Sequence, residues 1–169
     1  MKKARASEES RERLDELQSR LWLSQSEGAI CFRMCIWGNF FNLLILPKLE
    51  RDFDILRDDF NILFCLAGAG KLTGTDICRI VGRPRNSISR CAERLLQRKL
   101  IRANSVSGDK RQTVFEITPE GRKLYRAILP HMTNLEEMML AALDERERSL
   151  LDGLLTKLVG EFGVLEPIA

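Results

Sequence analysis

Histidine is almost missing from this chain of 169 residues: it has one, His131. The five cysteines (31, 35, 65, 78, 91) form no CxxC pair and stand at no zinc-ligand spacing from that histidine. No Gly-rich phosphate loop occurs either. Neither a metal nor a cofactor is therefore expected. An enzyme has little to stand on here, and His131, beside Pro130, reads as structural or solvated. A membrane-crossing run is also missing. The longest early apolar stretch, Ile36 to Pro47, contains Asn39 and Asn42 and falls short of the roughly 20 residues a span needs. The odd cysteine count and the lack of a signal sequence fit a reducing cytoplasm, where thiols in apolar runs behave as small hydrophobes.

With 44% hydrophobic and 30% charged residues, the chain can bury a sizeable core as one domain, or as a compact unit with a helical extension. Its net charge of +3 says less than its distribution. Between Arg83 and Arg111 nine Lys/Arg face two acids, Glu93 and Asp109, so this segment carries +7 and the remainder −4. A basic module on an acidic body is the footprint of polyanion binding.

The segment Leu72 to Gly121 organises the chain. Thr73 with Asp76 forms an approximate capping box for a helix whose buried side is Ile77, Ile80 and Val81, and Gly82 makes the turn. A second helix opens at Pro84, near a first position where a missing N–H costs little. Its inner stripe is Ile88, Cys91, Ala92, Leu95 and Leu96. The outward side carries Arg85, Asn86, Ser87, Ser89, Arg90 and Arg94, short polar groups flanked by arginines that suit base edges and phosphates. Strands over Leu100 to Arg102 and Thr113 to Thr118 enclose a polar loop, Ser107-Gly-Asp-Lys-Arg111. Lys110 and Arg111 at its tip are placed for a minor groove or phosphate, and Asp109 for orienting an arginine. The competing reading is a merely solvated basic face.

Around this winged helix-turn-helix lie helical flanks. Residues 1–23 form a charged arm with a Ser7 cap and a thin Leu14, Leu17, Leu21 stripe. From Ser24 or Ser26 to about Leu49 runs a helix apolar nearly all round, as at a subunit interface. Pro47 can bend or end it. Asp58 to Leu66 is a short apolar helix closed by Gly68-Ala-Gly70. Thr118 caps a long helix from Pro119 with Leu124, Ile128, Met132, Leu135, Met139 and Ala142 on its apolar side and a kink expected at Pro130. Asp144 and Glu147 cap a last helix bearing Leu150, Leu151, Leu154, Leu155, Leu158 and Phe162. The expected fold is mainly α with a small β-hairpin wing. Its parts are the arm (1–23), an N-terminal dimerisation and ligand-pocket helix (24–56), the winged module (57–118) and C-terminal dimerisation helices (119–169).

The chain resembles the MarR family of bacterial transcriptional regulators over roughly residues 30 to 160. Leu72-Thr73, Ser87-Ile-Ser-Arg90, Leu95 with Leu100-Ile101, Asp109-Lys110-Arg111 and Ile117-Thr118-Pro-Glu-Gly121 carry the resemblance. Lys99 stands where the family usually has Gly, and the long arm is a second departure. The resemblance implies a cytoplasmic homodimer whose end helices interlock. Its second motif helix would sit in the major groove of a pseudo-palindromic DNA operator and its wing in the minor groove. It also implies a repressor released by a small aromatic acid or phenol.

Arg33, Trp37 and Phe40 share a face and could offer such a ligand a cation beside stacking walls, although aromatics at this spacing also serve as core. Two rival functions stand beside this one. Cys31 and Cys35, one turn apart, could sense oxidants, but Arg33 points about 200° around the helix from Cys31, and burial is the better expectation for both thiols. A winged-helix adaptor that binds protein instead of DNA is disfavoured by the +7 segment.

Overall fold

The structure is a computed structural model. It describes residues 11–13, 15–17, 28–106 and 109–162, and the side chains of these other than 105, 106, 109–112 and 162. The expected Ser7 cap, Leu14, Leu21, the helix start at Ser24 or Ser26, the Ser107-Gly108 turn and the side chain of Phe162 lie outside the described residues. Two compact units, Met1–Leu43 and Leu44–Ala169, are taken in turn.

In the first unit residues 11–13 and 15–17 are helical, and Leu17 is exposed. Helix α1 (Ala29–Phe53) begins after Gly28, whose positive φ of 76° suits glycine. Ile30, Phe32, Met34, Trp37, Phe40 and Leu43 are exposed in this single copy, so the expected all-round burial is not met within one chain. Cys31 and Cys35 are exposed as well, which corrects the expectation of buried thiols. Asn42 is accommodated on this apolar helix by donating from Nδ2 to the Gly38 carbonyl, 2.8 Å away.

Helix α1 runs through Pro47 to Phe53, past the expected end near Leu49. Among the described residues it is the one helix long and apolar enough to cross a membrane by length and composition. Its last turns instead insert Ile45 and Leu49 into the core of the second unit.

That unit continues with α2 (Arg57–Ala69), β1 (Lys71–Thr73), α3 (Gly74–Val81), α4 (Arg85–Gln97), β2 (Ile101–Val106), β3 (Asp109–Ile117), α5 (Pro119–Met139) and α6 (Glu145–Phe162). The antiparallel sheet has the order β1-β3-β2. β1 was not foreseen: three residues carry no period, and pairing of Leu72 with Phe115 is what makes them a strand. β2 and β3 are longer than expected and absorb Asp109 to Arg111 into the second wing strand, with an irregularity at Ser105 and Val106. Leu63, Leu66, Ile77, Ile88, Leu95 and Ile128 fill the core. Each contributes about 1.5–3 kcal/mol by leaving water. Ile80, expected inside, is 53% exposed, because the short α3 turns only Ile77 fully inward.

The caps are as the local sequence requires. Thr73 Oγ accepts from Asp76 N–H while Asp76 accepts from Thr73 N–H, Thr118 Oγ accepts from Gly121 N–H, and Asp144 and Glu147 exchange the same pair of bonds. α5 continues past Pro130 to Met139, leaving Ala142 exposed beyond its end. His131 packs on Phe53 with ring centroids 5.5 Å apart.

Lys99 resolves the departure noted above. It sits at φ 58°, and its N–H and that of Leu100 donate to Leu96 and Leu95 carbonyls, each at 2.9 Å. This is the left-handed residue that ends a helix and normally favours glycine. A side chain there costs about 1–2 kcal/mol. Part of that is offset by the greater entropy glycine has in the unfolded chain. Lys99→Gly is therefore expected to stabilise the fold by up to about 1 kcal/mol. The urea midpoint should rise; a fall would refute the strain.

Candidate nucleic-acid interface

α4 is moored to α2 from below. Leu56, just before α2, has no capping side chain of its own, and Asp58 and Asp59 stand in the first turn, only 5% and 0% exposed. Buried carboxylates require partners, and α4 with the turn before it supplies them. Arg83 grips Asp58 through two bonds of 2.9 and 3.0 Å, and Ser87 Oγ donates a further short bond to it. Burial pushes the Asp58 carboxyl up, but the bonds from Arg83, Ser87 and Asn61 outweigh this and hold it below the ordinary carboxylate value. Asp59 accepts from the Leu56 N–H at 2.9 Å and from Arg94, whose guanidinium is drawn in against it. Asp59 Oδ1 and Arg94 Nε have no hydrogen-bond partner. Cys91 also faces this pair: burial, then the Asp59 charge and hydrogen bond, raise its thiol to about 11, so it is not a reactive thiolate.

Mooring divides the predicted contact residues. Arg85, Asn86, Ser89 and Arg90 lie exposed on the free side of α4, with Arg90 Nε bonded along the helix to the Asn86 carbonyl at 3.3 Å. Ser87 and Arg94 turn inward, to Asp58 and Asp59. Arg102 is spent on Glu116, its cross-strand partner, at 2.9 and 3.1 Å. The backbone carries Asp109, Lys110 and Arg111 on β3, while their side chains, and with them the orienting role expected of Asp109, lie outside the described residues. Four groups of this site were missed in the sequence: Asp58, Asp59, Arg83 and Cys91. The available signal was the Asp-Asp pair opening an otherwise apolar helix, which looked like an ordinary acidic first turn.

On α1, Arg33, Trp37 and Phe40 are exposed. Trp37 stacks on Phe41, with ring centroids 6.4 Å apart, a partner not foreseen. Among the described residues no group of three or more His, Cys, Asp or Glu is placed to hold a metal.

A free polar and basic helix face beside a two-stranded wing is the geometry of winged helix-turn-helix DNA readers. Comparison with known proteins agrees. HTH-type transcriptional repressor NicR of Pseudomonas putida is 26% identical over 115 residues, covering 68% of this chain and 73% of that protein. The solved structure of NadR in complex with 4-hydroxyphenylacetate superposes with a TM-score of 0.70 at 25% identity, covering 80% of this chain and 96% of that one. BpsR of Bordetella bronchiseptica, whose DNA binding is regulated by 6-hydroxynicotinic acid, superposes with a TM-score of 0.66 at 21% identity, over 76% of this chain and 97% of that one. The MarR family model matches residues 53–112, which span α2, the helix-turn-helix and most of the wing. By this match and by its fold, the chain is similar to the MarR family of winged helix-turn-helix transcriptional regulators.

Proposed function

We propose that this regulator is a cytoplasmic repressor that binds a pseudo-palindromic operator as a homodimer and is released by a small aromatic acid or phenol. The observation that carries the DNA reading is the division of labour on α4: Ser87 and Arg94 fasten the helix, while Arg85, Asn86, Ser89 and Arg90 stay free for base edges and phosphates. The dimer is supported separately by two helices. α1 exposes Ile30, Phe32 and Phe40, and α6 exposes Leu150, Leu154, Leu158 and Val159, more apolar surface than a solvated helix tolerates. For the ligand, support comes from Arg33, Trp37 and Phe40 on one face of α1, and from the hydroxylated aromatic acids with which BpsR and NadR are associated.

The test is binding of the purified protein to its own upstream DNA with a panel of hydroxybenzoates, hydroxycinnamates and indole-acetic acid, plus peroxide. Release by one acid, abolished by Arg33→Ala while DNA binding persists, supports the reading. Release by peroxide alone favours the second reading, oxidant sensing, which the exposure of Cys31 and Cys35 supports. Absence of any salt-sensitive affinity for DNA would favour a protein-binding adaptor.

Within the interface the free residues should separate by role. Arg90→Ala should cost about 1–3 kcal/mol on the operator and relax sequence preference. Lys110→Ala should weaken all duplexes about equally and lower the log–log salt slope by about 1. Equal specificity ratios for the Arg90 variant and wild type would sink that assignment.

A further inference from the structure

α4 is tied at three points, and only two lead to α2. The third is Arg98, directly after the last residue of α4. Its Nη2 donates to the Phe53 carbonyl at 3.1 Å and its Nη1 donates a short bond to the Asp54 carbonyl, with the Asp54 carboxylate 3.4 Å away. These carbonyls close α1. Asp54 N–H returns to Glu50 O at 3.0 Å and Ile55 N–H to Leu49 O at 3.2 Å, and Asp54 takes a φ of 52° that turns the chain out of the helix. A helix C-terminus leaves carbonyls without intrahelical donors, and a guanidinium there satisfies them and the negative end of the helix dipole together. Phe53 meanwhile packs on His131 of α5. The joint at Phe53–Asp54 therefore touches α1, α4 and α5 at once.

We propose that Arg98 is a positioning residue for DNA recognition. By clasping the Phe53 and Asp54 carbonyls, it fixes the recognition helix to the end of the long apolar helix α1 and does not itself contact DNA. The inference rests on the reading of α4 as the recognition helix. In a two-fold dimer the two recognition helices must match half-sites about 34 Å apart. A recognition helix free to shift at its C-terminal end loses base-edge contacts, which need ångström registration, while the long-range attraction of phosphates persists. A positioning residue and a phosphate contact thus leave opposite signatures.

The experiment compares full-length wild type, Arg98→Met and Arg98→Lys on a duplex of the protein's own upstream DNA and on a scrambled duplex of equal length, over a salt series, with thermal melts alongside. Methionine keeps much of the aliphatic stem and removes the donors. The expected result for Arg98→Met is a drop of about tenfold in the specificity ratio, comparable to losing one base-pair contact. The salt slope should stay unchanged, and lysine should recover part of the loss. A salt slope lowered by about 1 on both duplexes, with the ratio unchanged, would make Arg98 a phosphate contact and overturn the inference, as would an unchanged ratio and slope. Should Arg98→Met melt below the assay temperature, Arg98→Lys carries the same comparison, since an ammonium cannot span two carbonyls as a planar fork does. Wild type that binds neither duplex overturns the DNA reading and this inference with it. Failure of the Arg98 signature alone leaves the DNA reading standing.

Discussion

Asp59→Ala is expected to destabilise the fold by about 3 kcal/mol or more, the usual cost of removing one partner from a buried ion pair. Asp59 is fully buried and serves two donors, the Leu56 N–H and the Arg94 guanidinium. The substitution strips the first turn of α2 of its cap, worth about 1 kcal/mol, and leaves Arg94 in a partly buried site with no counter-charge. Because the Arg94 side chain is 33% exposed it can swing toward water, which keeps the loss near the lower end of that range. Arg94→Ala should cost at least as much, since it leaves a carboxylate with no route to solvent. Joint replacement, Asp59→Leu with Arg94→Met, should recover a large part of both losses. Urea denaturation of wild type, Asp59→Leu, Arg94→Met and the joint variant in a double-mutant cycle measures this. The cycle also decides Arg94's employment. An Arg94→Ala variant of native stability whose DNA salt slope falls would return Arg94 to the phosphate contacts.

Acid should loosen the same joint. The folded pKa of Asp58 is depressed below its unfolded value, so the stability it contributes is whole above about pH 4 and is lost as pH falls through the folded pKa. Asp76, held low first by the Thr73 hydroxyl and then by the Thr73 N–H, adds in the same direction. Melting temperatures that stay flat between pH 5 and pH 2 would contradict both, on the scale set by ordinary carboxylates.

Gly121→Ala carries the second large effect. A Cβ at this position would stand 2.9 Å from Ile117 Cγ1 and deep inside the van der Waals envelope of the Leu100 carbonyl oxygen. That oxygen cannot step aside. It accepts from the Thr118 N–H at 3.0 Å and from the Thr118 hydroxyl at 3.0 Å, and it lies where the turn after α4 enters the sheet. Overpacking against backbone costs about 3 kcal/mol or more, because no rotamer change relieves it. For a chain of this size that is a fall of roughly 10 °C in Tm. Gly153→Ala is the control, since a Cβ there meets nothing within 4 Å. A native melting temperature for Gly121→Ala would refute the close approach.

Much of the fold was legible because its rules are local. Thr73 with Asp76, Thr118 with Gly121, and Asp144 with Glu147 are pairs three residues apart, and a helix start offers such pairs the same unsatisfied N–H groups wherever it occurs. The stripe Ile88, Ala92, Leu95 was readable for the same reason, as one turn of helix brings each beside the next. The exposure of Ile80 was not readable, since the apolar pattern of an eight-residue helix does not say how much of its girth a neighbour covers. Nor was the strand Lys71–Thr73, which exists only because β3 lies beside it.

The element order, the caps, the inner face of α4 and the concentration of positive charge around it follow from the order of residues alone. Each depends on residues within a few positions of one another. Which of those charges are free depends on contacts between distant segments. Arg83, Arg94 and Arg98 meet Asp58, Asp59 and the end of α1 across separations of 25, 35 and 44 to 45 residues. A guanidinium has the same charge and the same donors whether it faces phosphate or a buried carboxylate, so its partner is chosen by what the fold brings within about 3 Å.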